Sequence, residues 1–194
     1  MGENNQLEDF FSKYIIKEEL AQGLSSNVNR IEDKKTGQSF ACKIINIEQP
    51  EGFCKEKDAE GMTPLEQALR EIEILKVVGD HDNIVSFLGD FHSESQIYLV
   101  FEYCPRGDIF DLLASEGQFD EARSREYFSQ LLGAVRHCHS LGVIHRDIKL
   151  ENILIGLDGT IKLSDFGMSR ILGPNERLWG LCGTPSYIAP EVWK

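Results

Sequence analysis

Basic residues are in short supply: 20 lysines and arginines stand against 32 aspartates and glutamates, a formal net charge of −12. Such a field repels a phosphate backbone, so nucleic acid is not expected as a partner. A cationic peptide suits it, although acidity also serves solubility. Long apolar runs are lacking too. No stretch approaches the roughly 18 residues of a membrane span, and Met1 to Phe10 has neither the basic nor the apolar segment of a signal peptide. Gln6 stands where N-myristoylation would need a hydroxyl. The cysteines, Cys42, Cys54, Cys104, Cys138 and Cys182, are 5, an odd number, and include no C-x-x-C pair. They read as reduced thiols in a cytoplasmic protein. Internal repeats and low-complexity tracts are absent. What is present, 41% hydrophobic and 9% aromatic residues, suffices for an ordinary core in one domain or a small two-lobed one.

The first third reads as strands over Tyr14 to Leu24, Asn27 to Asp33 and Ser39 to Ile47, divided by turn residues such as Lys35-Thr36-Gly37. Glu48 to Gly61 lacks periodicity and is expected to be a loop. Thr63-Pro64-Leu65-Glu66 then supplies an N-cap, a proline at N1 and an acid at N3, followed by Leu65, Leu69, Ile72, Leu75 and Val78 at helical spacing. One amphipathic helix over Thr63 to Val78 follows. Ile84 to Phe91 and Ile97 to Tyr103 read as two more strands, making a five-stranded antiparallel sheet with one helix. Past Gly107 the pattern turns helical at Ile109 to Ala114 and Glu121 to Leu141, with short strands at Val143-Ile144, Ile153 to Ile155 and Ile161 to Leu163. Met168 to Tyr187, rich in Gly and Pro, is expected to be a long functional loop.

The chemistry concentrates in His145-Arg146-Asp147-Ile148-Lys149-Leu150-Glu151-Asn152 and in Asp165-Phe166-Gly167. This is a carboxylate that can accept a hydroxyl proton, hard oxygen donors for Mg²⁺ and a cation for a phosphoryl group in transit. Together with Phe40-Ala41-Cys42-Lys43 and Ala189-Pro190-Glu191, these blocks resemble the protein kinase family from about residue 14 to the last residue. The resemblance implies an α+β, two-lobe fold: an extension over 1–13, a small lobe over 14–104 and part of a large, mainly helical lobe over 105–194. It implies ATP and Mg²⁺ as cofactors, Asp147 as base, Lys149 on the transferred group, Lys43 on the α and β phosphates and Glu71 as its ion-pair partner. Glu73 is the alternative partner, about 200° around the helix. Asn152 and Asp165 would hold the metal.

The resemblance further implies a nucleotide-binding set of Leu20, Ala21, Gly23, Ser26, Val28, Ala41, Lys43, Glu102, Cys104, Asp108, Glu151 and Leu154. Glu102 to Cys104 would be the hinge, with Phe101 before it as gatekeeper. Where the family has G-x-G-x-x-G, only Gly23 is glycine, and Ala21 brings a Cβ to a turn that could demand positive φ. Lys149 points to Ser/Thr and not Tyr as acceptor, and Asp108 with Glu151 to a protein substrate with Arg or Lys near the target. Gly180 stands at the place relatives phosphorylate, which leaves Arg146 to Glu176 as the nearest carboxylate and Ser169 as a secondary modification site. Phe11-Ser12-Lys13-Tyr14 and Cys182-Gly183-Thr184-Pro185-Ser186-Tyr187 look most like the phosphorylase kinase γ catalytic subunit in the calmodulin-dependent group, which implies regulatory subunits or calmodulin as possible partners. The expected function is ATP-dependent phosphorylation of protein Ser/Thr residues. The alternative is an inactive fragment or pseudokinase-like binding module, since the chain stops after Glu191, ahead of the helices that complete the family's large lobe.

Overall fold

A computed structural model of the chain describes residues 3–23, 26–47, 61–173, 176, 178 and 182–192. They divide into two compact units, Met1–Ile72 with Phe87–Tyr103, and Glu73–Ser86 with Cys104–Lys194.

The first unit is a five-stranded antiparallel sheet. Strands β1 (Tyr14–Gln22), β2 (Ser26–Asp33) and β3 (Ser39–Asn46) precede helix α2 (Pro64–Val78), and β4 (Phe87–His92) and β5 (Gln96–Glu102) follow it, in the order β1-β2-β3-β5-β4. Directly opposed residues share a face. One face carries Ile31, Cys42, Val100 and Tyr98 in a buried cluster. That cluster is completed by a helix the sequence pattern did not show, α1 (Glu3–Lys13). Its Phe10 is fully buried, with ring centroids 4.6 Å from Tyr98 and 5.3 Å from Phe91. Burial of one aromatic, not helical periodicity, docks α1 on the sheet.

Helix α2 opens on a capping box: Thr63 N donates to Glu66 Oε2 at 2.7 Å and Glu66 N donates to Thr63 Oγ1 at 3.3 Å. Its buried residues are Ala68, Glu71, Ile72, Ile74, Leu75 and Val78, whereas Leu65 and Leu69 are exposed. The apolar spacing therefore marks the helix correctly but misplaces its first turns, because the inward position there belongs to a carboxylate. Removing the cap hydroxyl (Thr63→Ala) should cost about 1 kcal/mol in urea unfolding. An unchanged midpoint would show that the box contributes nothing.

The second unit holds the end of α2, helices α3 (Ile109–Glu116) and α4 (Glu121–Ser140) and two ribbons. The ribbons are β6 (Val143–Ile144) with β9 (Arg170–Ile171), and β7 (Ile153–Ile155) with β8 (Ile161–Leu163). Asp108 and Asp120 cap α3 and α4, each accepting the N–H three residues on, at 2.8 and 2.7 Å. Ile109, Ile153, Ile155 and Ile161 form the core beneath them. The run expected to begin a strand at Ile84 does not join β4. Ile84 bridges Leu163 in parallel, and Val85 N donates to Leu163 O at 3.0 Å. The long loop after Met168 also contains β9. Cys42, Cys104 and Cys138 are buried and in no disulfide, and burial pushes Cys42 up to about 12 and Cys138 up to about 11. No helix among the described residues is long and apolar enough to cross a membrane.

Candidate active site

In the first unit, pairing aligns one row of residues across four strands: Ala21 faces Val28, Val28 faces Lys43 and Lys43 faces Leu99. Ala41 lies two residues from Lys43, opposite Phe101. Ala21, Val28, Ala41, Lys43 and Phe101 therefore share the sheet face opposite Cys42 and the Phe10 cluster. Phe87 supports Phe101, ring to ring at 5.6 Å. Lys43 Nζ lies 2.8 and 3.0 Å from the two Glu71 carboxylate oxygens. Glu71 is 4% exposed, while Glu73 faces solvent. The pair is thus held where water cannot screen it.

Leu20 is exposed near the end of β1, and Ala21 continues the strand with negative φ, so the Cβ there meets no backbone conflict. The anticipated demand for positive φ does not arise. Gly23 makes the turn instead. Its N–H donates to Ser26 O at 2.8 Å, and an added Cβ would sit 3.0 Å from that same oxygen. Leu24 and Ser25 lie outside the described residues. Glu102 ends β5 in the first unit, and Cys104, 9% exposed, opens the main run of the second.

The second unit gathers the remaining candidates. Asp147 Oδ1 accepts from Thr184 N at 2.9 Å and from Thr184 Oγ1 at 2.7 Å. Its Oδ2 lies 3.0 Å from Lys149 Nζ and accepts from Asn152 Nδ2 at 3.1 Å. Lys149 also donates to Thr184 Oγ1 at 3.1 Å. Burial pushes the Asp147 carboxyl up, but the bonds from Thr184 and Lys149 and the lysine charge outweigh it and hold the group below its ordinary value. Thr184, in a Gly- and Pro-rich loop, was not foreseen as part of this cluster. Its approach depends on Gly183, where φ is +108° and an added Cβ would stand 2.7 Å from Arg146 O.

Asn152 Nδ2 also donates to Asp147 O at 2.8 Å, so the amide oxygen is the atom left for a cation. Asn152 O in turn accepts from Ser164 N and Oγ at 2.9 and 3.0 Å, which ties Asn152 to the residue before Asp165. Asp165 itself is left-handed, with φ 58°. Among the described residues there is no cluster of three His, Cys, Asp or Glu side chains suited to a metal. One carboxylate and one amide oxygen nevertheless fit Mg²⁺, which takes few protein ligands and completes its shell with phosphate oxygens and water.

His145, 3% exposed, braces this loop. Its Nδ1 accepts from Asp147 N at 3.3 Å, its Nε2 donates to Ser164 O at 2.9 Å, and its ring meets Phe166 edge-on at 4.9 Å. Burial holds it below the usual histidine value. Ser169 is fully buried, donating to His145 O, which argues against modification in this conformation. Arg146 Nε donates to Met168 O at 2.6 Å, and Glu176 accepts from Gly173 N at 2.9 Å. Gly180 lies outside the described residues.

Asp108 caps α3 and bridges Leu154 in an antiparallel pair. Its carboxyl is raised, mainly by desolvation, with Glu151's charge contributing. Glu151 Oε2 accepts from Tyr187 OH at 3.3 Å. A pocket of about 200 Å³ beside Asp147 is lined by Cys182, Gly183, Thr184, Tyr187, Ile188 and Val192. A larger groove of about 410 Å³ along α3 and α4 carries no carboxylate, lysine or histidine and is not where chemistry could occur.

These arrangements accord with comparison to known proteins. The family model described as "Protein kinase domain" matches residues 14–194. The liver/testis isoform of the phosphorylase b kinase gamma catalytic chain from Bos taurus is 38% identical over 192 residues, covering 96% of this chain and 45% of the relative. CBL-interacting protein kinase 11 from Oryza sativa subsp. japonica is 40% identical, covering 93% of this chain and 34% of the relative. CBL-interacting serine/threonine-protein kinase 24 from Arabidopsis thaliana is 39% identical, covering 93% and 38%. The chain thus spans less than half the length of each of these relatives. With the family model matched across nearly its whole length, the chain belongs to the protein kinase domain family.

Proposed function

We propose that the protein transfers the γ-phosphoryl group of ATP to serine or threonine hydroxyls of protein substrates. The observation that carries this reading is the Thr184 hydroxyl held 2.7 Å from Asp147 Oδ1 with Lys149 3.1 Å away. An aliphatic hydroxyl set between a base and a cation is the geometry a substrate serine would need. Asp147 accepts the proton of the attacking hydroxyl as its oxygen bonds to phosphorus and the bond to the bridging oxygen of the leaving diphosphate breaks. Lys149 offsets charge on the oxygens in transit, and Lys43, oriented by Glu71, binds the α and β phosphates. Asn152 and Asp165 would hold Mg²⁺, which when bound would neutralise phosphate charge.

For adenine, Leu20, Ala21, Val28 and Ala41 are the apolar contacts and the Glu102 backbone the hydrogen-bonding partner from the first unit, as Leu154 and the Cys104 backbone are from the second. Gly23 and Ser26 turn the chain over the phosphates. Asp108 and Glu151 repel one another, and an arginine or lysine of the substrate would relieve that repulsion. A regulatory protein partner, as CBL is for the two plant relatives by name, and a cytoplasmic setting belong to the same reading. An Arg-containing peptide offered with ATP and Mg²⁺ should be phosphorylated when its acceptor is serine and not when it is tyrosine. Failure of the folded chain to label either peptide, while a thermal shift reports nucleotide binding, would replace transfer with a binding role.

A further inference from the structure

Two histidines that take no part in this chemistry lie together where α2 ends. His81, in the turn after α2, and His137, in the last turn of α4, stack with ring centroids 4.8 Å apart and planes 33° apart. His137 Nε2 donates to Val78 O, the last carbonyl of α2, at 2.8 Å, a bond available to the ring whether neutral or charged. His81 is different. Its Nδ1 accepts from Asn83 N at 3.0 Å, so it must be unprotonated there.

Asn83 is the centre of the connection. Its side chain donates to Ile161 O at 3.1 Å and to Gln130 Oε1 at 3.2 Å, Gln130 Oε1 also accepts from Ile161 N at 2.8 Å, and Asn83 O accepts from Leu163 N at 2.9 Å. One short turn thereby ties the end of α2 to α4 and β8. We propose that the His81–His137 stack is a proton-operated latch on this turn: a proton on His81 Nδ1 abolishes the bond from Asn83 N, sets a positive charge against the His137 ring and loosens the hold on the end of α2.

The groups around His81 favour the closed, neutral form. Desolvation pushes it down first and His137 on α4 next, Asp82 in the turn opposes them, and Lys162 on β8 adds to the lowering, while the Val78 carbonyl of α2 engages His137. Because the closed state binds the His81 proton less well than the open one, closure is fully favoured above the ordinary histidine pKa. It weakens as pH falls from there through the depressed value. The latch therefore opens in acid and closes on return to neutrality.

Amide hydrogen exchange and side-chain NMR titration of the chain test this. The protection factors of Asn83 and Gly79 should fall by up to about tenfold per pH unit below pH ~6.5. In His81→Asn the new side chain can still accept from the amide two residues on but cannot titrate, and its protection should stay flat over the same range. That comparison removes buried His145, which titrates in both chains. His137→Gln, which keeps a donor for Val78 O, should raise the His81 midpoint toward its ordinary value and so answers the question even if His81→Asn fails to fold. Equal acid opening in the parent and His81→Asn, absence of opening in either, or an unmoved His81 midpoint in His137→Gln would overturn the proposal.

Discussion

Asp147→Asn should lower kcat by about 10³-fold while leaving nucleotide binding in place, since a positioned general base contributes roughly 10²–10⁴-fold. The expectation rests on what surrounds the carboxylate. Oδ1 is the acceptor for both Thr184 donors, and Oδ2 faces Lys149 and the Asn152 amide. An amide at this position can keep its oxygen toward Thr184 only by aiming its NH₂ at two further donors, so Lys149 and Asn152 must shift. The substitution removes the proposed base and disturbs its setting together. Thr184→Val separates the two, because it deletes the hydroxyl but keeps Asp147. Transfer should fall less there, with the peptide KM changing more than in Asp147→Asn. The pH profile gives an independent reading. The Asp147 carboxyl is held below its ordinary value, so it stays ionised through mild acid, and an activity loss between pH 7 and 5 should not come from this group. Undiminished kcat in Asp147→Asn, with folding checked by circular dichroism, would remove Asp147 from its role as base.

Much of this arrangement is legible in the sequence, for identifiable reasons. The strands are short apolar runs between strong turn residues, and the capping box at Thr63 marks the start of α2 from residue types alone. The candidates Asp147, Lys149 and Asn152 occupy one loop, so their proximity needs no knowledge of the fold. What stays hidden depends on tertiary contact. Helix α1 has few apolar residues and is held by the burial of Phe10 among rings from β1, β4 and β5. Leu65 and Leu69 look like core residues by spacing but face outward, because the buried stripe includes the charged Glu71. Thr184 lies 37 positions from Asp147, and no local pattern signals that a loop threonine will return to the base. The signal that could have found it is Gly183, a glycine that lets the backbone pass against Arg146.

The largest loss of stability is expected from Glu71→Ala, about 3–5 kcal/mol, the range for removing one member of a buried ion pair. Glu71 sits on the inward stripe of α2 and Lys43 in the middle of β3, with side-chain exposures of 4% and 16%. The reason is the asymmetry of buried charge. The attraction between the two groups is largely offset by the cost of taking both out of water, so the pair adds little over two apolar residues of similar size. Deleting the carboxylate alone leaves the desolvation cost of the ammonium and removes what opposed it. A double substitution, Lys43→Met with Glu71→Met, should therefore recover most of the stability lost in Glu71→Ala while abolishing transfer, since the cation proposed for the α and β phosphates is lost. Urea midpoints of the parent, Lys43→Met, Glu71→Met and the double, read together with transfer rates, separate these contributions. A coupling energy near zero in that cycle would mean that Lys43 and Glu71 behave as a solvent-screened surface pair. The orientation of Lys43 would then have to come from the sheet alone and not from α2.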